Sequence, residues 1–341
     1  MDSTKKFIQE KIKSSGPISL EEYMSICLHH PKYGYYAKNN LSFSPIGGDG
    51  DFITAPEIGQ VFGETIAFWC IHQWHLLGTP HTINLVELGP GNGTMIRDIL
   101  QTFQSLNIDT NIVVHLVEIS PILKIKQRNI LSSYQNIYHY SSIDEISLND
   151  PTIVLANEFF DALPINQKIK IENYWHARVV ALNEHSELCF APKISTPNDR
   201  VDIAEESSAS METLLKIISL LHKNTGSCLI IDYGYMEGSG DTLQAVHQHS
   251  SCCVFKNPGN IDLTAHVNFG KLSSILTEKN ISYTLTTQGQ FLSQFGAKER
   301  THNLVEQNPL YKHTLESALH RLTDNDKMGQ LFKVLSFNVA V

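Results

Sequence analysis

Three short stretches carry residues suited to chemistry. In "VLANEFFDALP" (residues 154–164) an apolar run ends in Asn157, Glu158, Phe159, Phe160 and Asp161. Carboxylates at a strand tip can grip N–H donors, orient them and accept a proton. In "VELGPGNG", Glu87, Gly89, Gly91 and Gly93 occupy alternate positions where an apolar run gives way to a helical pattern. Glycines at such a turn let the backbone approach a ligand, and the following helix N-terminus presents free N–H groups. A second apolar run then ends at Glu118, where an acid can accept both ribose hydroxyls of a nucleoside. The third stretch, "GDGDFITAPE", sets Asp51, Phe52 and Thr54 just ahead of a helical pattern.

Those residues need a frame. Apolar runs at "INLVELGPG", "IVVHLVEIS", "PTIVLANEFF" and "SCLIIDYGY" alternate with helical patterns at "TMIRDILQTF", "SPILKIKQRNIL" and around Met211–His222. Strands alternating with helices predict a parallel sheet covered on both faces, and so an α/β fold. In such sheets ligands bind beyond the carboxyl ends of the strands, where Gly89, Glu118, Glu158 and Asp232–Tyr233 fall. Ahead of the sheet, Ser19 to Glu22 has capping-box spacing and opens a helix that Pro31 should end. Thr54 to Glu57 repeats the spacing and predicts one helix through Val61, Phe62, Ala67 and Trp69. The Gly-, Tyr- and Asn-rich stretch between reads as a long functional loop. Residues 165–193 read as consecutive strands, a β insertion, and 235–262 as a lid or substrate loop. The chain thus divides into 1–80, a helical extension with an active-site loop, and 81–341, a core carrying those two insertions.

The 341 residues are 42% hydrophobic, enough for a sizeable core, with a formal net charge of −9. Proteins that grip nucleic-acid phosphates are normally basic, so that function is set aside, and an acidic surface suits a cationic partner. Six scattered cysteines show no paired framework, which predicts a reducing compartment. No secretory h-region and no apolar run of about 18 residues is present. "HQHSSCC" brings His247, His249, Cys252 and Cys253 close together, but they are crowded and lack a second ligand pair at zinc spacing. No metal is expected.

The glycine spacing G-P-G-N-G departs from the G-x-G-x-x-G of dinucleotide folds, which counts against a nicotinamide oxidoreductase. With Glu87 ahead of it, the loop resembles the first motif of class I S-adenosyl-L-methionine methyltransferases. "GDFITAPEIGQVFGE", "VELGPGNGT", "HLVEISP", "LANEFFDALPI", "IDYGY", "GDTLQAV" and "DLTAHVNF" occur in that order. Together they resemble the MidA-type family, which includes a mitochondrial complex I assembly factor that methylates an arginine. The matches span about residues 15–295.

The resemblance implies a Rossmann-like class I methyltransferase with an N-terminal helical extension and a β insertion. It implies S-adenosyl-L-methionine as cofactor, near Asp51, Phe52, Thr54, Glu87, Gly89, Gly91, Gly93, Glu118 and Asn157. Glu158, Asp161 and Asn157 would be catalytic; Phe159, Asp232, Tyr233 and His266 would face the substrate. Guanidinium stays protonated up to a pH of about 12, so carboxylates must orient one nitrogen and take its proton. The expected activity is protein arginine N-methylation of a complex I subunit or a similar protein. The alternatives are a small-molecule methyltransferase and a non-catalytic assembly factor that binds S-adenosyl-L-methionine. The expected partner is a protein substrate, with a homodimer open, no nucleic acid and no membrane span. The compartment would be the cytoplasm of a bacterium or the mitochondrial matrix of a eukaryote. Asn92 and His247 stand where the family commonly has Arg; the second lies in the substrate loop and bears on substrate identity.

Overall fold

The computed structural model describes residues 3–37, 46–47, 50–192, 202–238 and 240–340. Part of the Gly- and Tyr-rich loop, the last residue of the 165–193 stretch and Ser239 lie outside them.

Seven strands form the main path of the central sheet: β1 (Thr82–Leu88), β2 (Asn111–Val117), β3 (Ile137–Tyr140), β4 (Thr152–Asn157), β5 (Gly226–Tyr235), β6 (Tyr283–Thr287) and β7 (Phe332–Val339). Their spatial order is β3-β2-β1-β4-β5-β7-β6, with β7 antiparallel to both neighbours. Along each central strand, successive side chains enter opposite cores. Leu85, Leu155 and Leu229 enter one; Val86, Val154 and Ile230 enter the other. Both faces are covered, so these runs are apolar throughout rather than alternating with polar residues.

Two helices begin at the caps that the sequence signals named, Ser19 and Ser120. The first eight α-helices in chain order are α1 (Ser3–Ser15), α2 (Leu20–His29), α3 (Ala55–Ile58), α4 (Gln60–Leu76), α5 (Thr94–Ser105), α6 (Pro121–Ile130), α7 (Ser208–Asn224) and α8 (Phe269–Glu278). Ser19 accepts from the Glu22 N–H and caps α2, and Ser120 accepts from the Leu123 N–H and caps α6, with Pro121 at its first position. The Thr54 signal misleads. Thr54 makes no side-chain cap, and the expected single helix is broken into α3 and α4 by extended Gly59. The N-terminus of α3 takes its acceptor from another strand, as described below.

Two smaller sheets complete the fold. Asn166–Ile171, Tyr174–Leu182, Leu188–Ala191 and Ile203–Glu206 form an antiparallel sheet that Ile18–Ser19 joins by pairing with Val179–Val180. Gln244–His247 pairs with Ser250–Cys252 on one side and Asp262–Thr264 on the other. The stretch read as a lid loop is therefore partly sheet. Its strands are three and four residues long, too short for a period to register in sequence. α1, α2 and both small sheets share a third core around Tyr23, Leu28, Val180 and Leu263. The expected Rossmann-like α/β core with N-terminal helices and an inserted β-sheet is thus present. No helix among the described residues is long and apolar enough to cross a membrane.

Candidate active site

From β1 the chain runs outward to β2 and β3, then returns to β4 on the other side. That reversal opens a crevice between the tips of β1 and β4, the position where open α/β sheets bind ligands. A cavity of about 960 Å³ lies there, reaching from Ser141–Ile143 to Asp161, Tyr233 and Asp262.

The turn after β1 forms the cavity's floor. Gly89 (φ +63°) and Gly91 (φ +53°) hold left-handed backbone that side-chain-bearing residues adopt only with strain. A Cβ on Gly89 would lie 2.8 Å from the Phe159 ring, so the turn and the β4 tip pack backbone against ring. Gln127 donates to the Gly91 carbonyl at 2.7 Å. Glu57, from α3, accepts from the Thr94 hydroxyl at 2.6 Å and from the Asn92 amide at 3.2 Å. Beyond β2, Glu118 accepts from the Ser120 N–H at 2.7 Å and from Gln127 at 3.4 Å. Glu87 is 3% exposed, and its Oε2 has no partner among the described residues.

The β4 tip is held by a buried hub. Asp232 is fully buried; its Oδ2 accepts from the Phe159, Phe160 and Asp161 N–H groups at 3.0–3.2 Å, and its Oδ1 from the Tyr233 N–H at 3.0 Å. This clamp folds the chain back just after Glu158, which sits at φ +48°. Glu158 Oε1 accepts from the Ala55 N–H at 2.7 Å and from the Asn157 amide at 3.2 Å. A carboxylate from β4 therefore caps α3, where the exposed N–H dipoles favour negative charge. Asn157 Oδ1 is buried without a partner among the described residues. Asp161 accepts from the Tyr233 hydroxyl, and Asp262 accepts from the Tyr36 hydroxyl at 3.1 Å.

The structure brings most of the sequence-selected residues to this cavity. Glu87, Gly89, Gly91 and Glu118 line one part; Asn157, Glu158, Phe159 and Asp161 line the next. Phe52, Thr54, Tyr233 and His266 close the far end, with the His266 and Tyr233 rings edge to face at 5.4 Å. Three residues do not line the cavity. Gly93 is the left-handed N-cap of α5, one step outside the lining. Asp232, expected at the substrate side, lies beneath the turn and holds it. Asp51, expected beside the cofactor, is 4% exposed and faces away: it accepts from the Tyr35 hydroxyl at 2.6 Å and the Gln248 N–H at 2.8 Å, and its Oδ1 lies 3.1 Å from His247 Nδ1. That set ties the Phe52 wall to the 244–252 hairpin. His247 Nδ1 thus lies beside a carboxylate without a hydrogen bond to it, and among the described residues no group of three or more His, Cys, Asp and Glu is arranged to hold a metal.

Sequence reasoning missed Tyr36, Glu57 and Asp262, which all line the cavity. Tyr36 lies in the aromatic loop and Asp262 heads "DLTAHVNF". Neither ends a strand of the central sheet, the only rule that pointed to strand-tip acids.

The cavity is strongly acidic. Among the described residues Glu57, Glu87, Glu118, Glu158, Asp161 and Asp262 line it, against a single lysine, Lys216, paired with Asp144 at 2.6 Å. Burial is the first cause of raised proton affinity in each of the following groups. It pushes Glu87 up to about 8, with Glu118 adding, and Glu118 and Glu158 each up to about 7. Asp262 is pushed up to about 8, with Asp161 adding. Free carboxylates titrate near 4. Folding therefore binds protons, and the stability so gained is complete below that range and lost as pH rises through about 7–8. The melting temperature is expected to fall between about pH 5 and pH 8.5, and a cationic ligand in the cavity to flatten the fall. A melting temperature rising across that window would contradict the burial of these groups.

Residues 65–288 match the model of a family described as S-adenosyl-L-methionine-dependent methyltransferase. The protein arginine methyltransferase NDUFAF7, mitochondrial, of Danio rerio is 34% identical over 369 residues, covering 97% of this chain and 86% of that relative. The Homo sapiens protein of that name is 31% identical over 362 residues, covering 94% of this chain and 80% of that relative. A solved structure from Burkholderia thailandensis, bound to S-adenosyl-homocysteine, superposes with a TM-score of 0.86 at 22% identity, covering 99% of this chain and 92% of that one. At that identity the likeness is one of fold.

Proposed function

Because the chain belongs to this family of S-adenosyl-L-methionine-dependent methyltransferases, we propose that it methylates an arginine side chain of a partner protein. The acidity of the cavity carries the reading: its carboxylates suit both a cationic cofactor and a cationic acceptor. The printed names of the relatives, protein arginine methyltransferase, support it.

The residues fit the cofactor. Glu87 Oε2 and Asn157 Oδ1 are buried acceptors that want a donor, and the cofactor's amino group offers one. Glu118 stands where the ribose hydroxyls fall in nucleoside-binding sheets, and Gly89 and Gly91 add no side chains of their own to the turn. When bound, S-adenosyl-L-methionine supplies an electrophilic methyl group on sulfur, which keeps the bonding pair as the methyl leaves.

The protein's part is alignment and proton removal. Glu158 and Asp161 hold the guanidinium by its N–H groups and fix one nitrogen for attack. As the N–C bond forms, that nitrogen gives up one proton, which Glu158 accepts. Its raised proton affinity matches a base working near neutral pH. Phe52, Phe159 and the α3 segment close the cavity against water. The MidA-type resemblance supports a complex I subunit, or a similar protein, as the target, and with it a site of action in the mitochondrial matrix of a eukaryote or the cytoplasm of a bacterium.

Incubation of a host lysate with the enzyme and labelled S-adenosyl-L-methionine, followed by mass spectrometry, tests this. The expected result is label on arginine of a discrete protein. Label on another residue or a small molecule, or cofactor binding with no transfer, would overturn it.

A further inference from the structure

Asp262 opens the strand Asp262–Thr264, is 5% exposed and lines the main cavity. Its partner Tyr36 follows α2 and lines the same cavity. Asp161 and Tyr233 make the same arrangement from the tips of β4 and β5. The two Asp–Tyr pairs arise from four separate segments, yet they share one end of the cavity. Burial raises the proton affinity of both Asp262 and Tyr36, and Asp161 is near enough for its charge to add to it.

Such an arrangement is costly by itself. Two carboxylates in one poorly solvated space repel, and each phenol supplies only one donor. Each Asp keeps further lone pairs for a ligand. Guanidinium answers this need well: it is planar, always charged, and presents five N–H donors along more than one edge. A single carboxylate satisfies one edge, whereas a second one at another edge fixes the plane.

We propose that Asp262 is a further substrate-binding carboxylate, which with Asp161 clamps the target guanidinium from a second side and leaves Glu158 to take the proton. Tyr36 positions Asp262 for that contact. The proposal rests on the arginine reading above and deepens it.

Calorimetry with S-adenosyl-homocysteine present tests it directly, using N-acetyl-arginine methylamide and its neutral citrulline counterpart as probes. The wild type is expected to bind the arginine probe at least about tenfold more tightly than the citrulline probe. Asp262→Asn keeps the size of the side chain and an acceptor for Tyr36 but cannot ionise when a cation binds. Its affinity for the arginine probe is expected to fall about 10–100-fold, with S-adenosyl-homocysteine affinity within about twofold of wild type. Equal binding of the two probes, or an unchanged arginine affinity in Asp262→Asn, overturns the proposal. If Asp262→Asn does not fold, Tyr36→Phe carries the test: a loss of about 2–10-fold supports it and no loss overturns it. The labelling experiment reads transfer rather than binding, so failure of the arginine reading is seen separately from failure of the clamp.

Discussion

The variant Glu158→Gln binds S-adenosyl-L-methionine as the wild type does and transfers methyl groups about 10²–10⁴-fold more slowly. That is the expected result of removing a proton acceptor while keeping its shape. The Gln side chain retains an oxygen for the Ala55 N–H, so α3 keeps its cap and the cavity keeps its wall. What is lost is the charge that holds the guanidinium and the basic site that accepts its proton. Calorimetry for the cofactor and steady-state kinetics for transfer separate the two. The wild-type rate should climb as pH passes about 7, where Glu158 loses its proton. That limb should vanish in the variant. A parallel loss of cofactor affinity and rate would instead make Glu158 a prop for α3.

Asp232→Ala is expected to be the most destabilising change around the site. It strands four backbone N–H donors, three of them in the turn that carries Asp161. Each buried donor left unpaired costs about 1–3 kcal/mol, and relief of the carboxyl's burial, then of repulsion from Asp161 and Glu158, offsets part of the sum. A net loss of at least about 3 kcal/mol is expected, a large part of the stability of a typical domain. Denaturant unfolding measures it. Asp232→Asn should fall between the two, since its amide keeps one acceptor oxygen in place of two. A loss under about 1 kcal/mol in Asp232→Ala would mean that other contacts hold the turn.

These two predictions separate what strand-tip position alone suggested. Glu158 and Asp232 looked alike in sequence, each an acid at the end of an apolar run. One faces the cavity and the other is sealed beneath it. The difference comes from the neighbouring strand: β5 pairs parallel with β4, and that register puts Asp232 under the turn that Phe159–Asp161 make. No local signal reports a register between strands separated by the whole β insertion. The same limit explains Thr54. Its spacing to Glu57 satisfied the local rule for a cap, yet the acceptor that serves Ala55 is Glu158, 103 residues away.

Sequence by itself determined the sheet's central strands, their glycine turn, the acids at their tips and the caps of α2 and α6. Those features follow from local rules: a strand buried on both faces must be apolar, a left-handed turn wants glycine, and a helix start wants an acceptor within three residues. Tertiary structure alone decided which acids face the cavity, which ones clamp a turn, and that the Tyr36–Asp262 and Asp161–Tyr233 pairs line one cavity. Such contacts join segments distant in the chain, and the energy that selects them, burial of charge against backbone donors and phenols, exists only once the chain has folded around it.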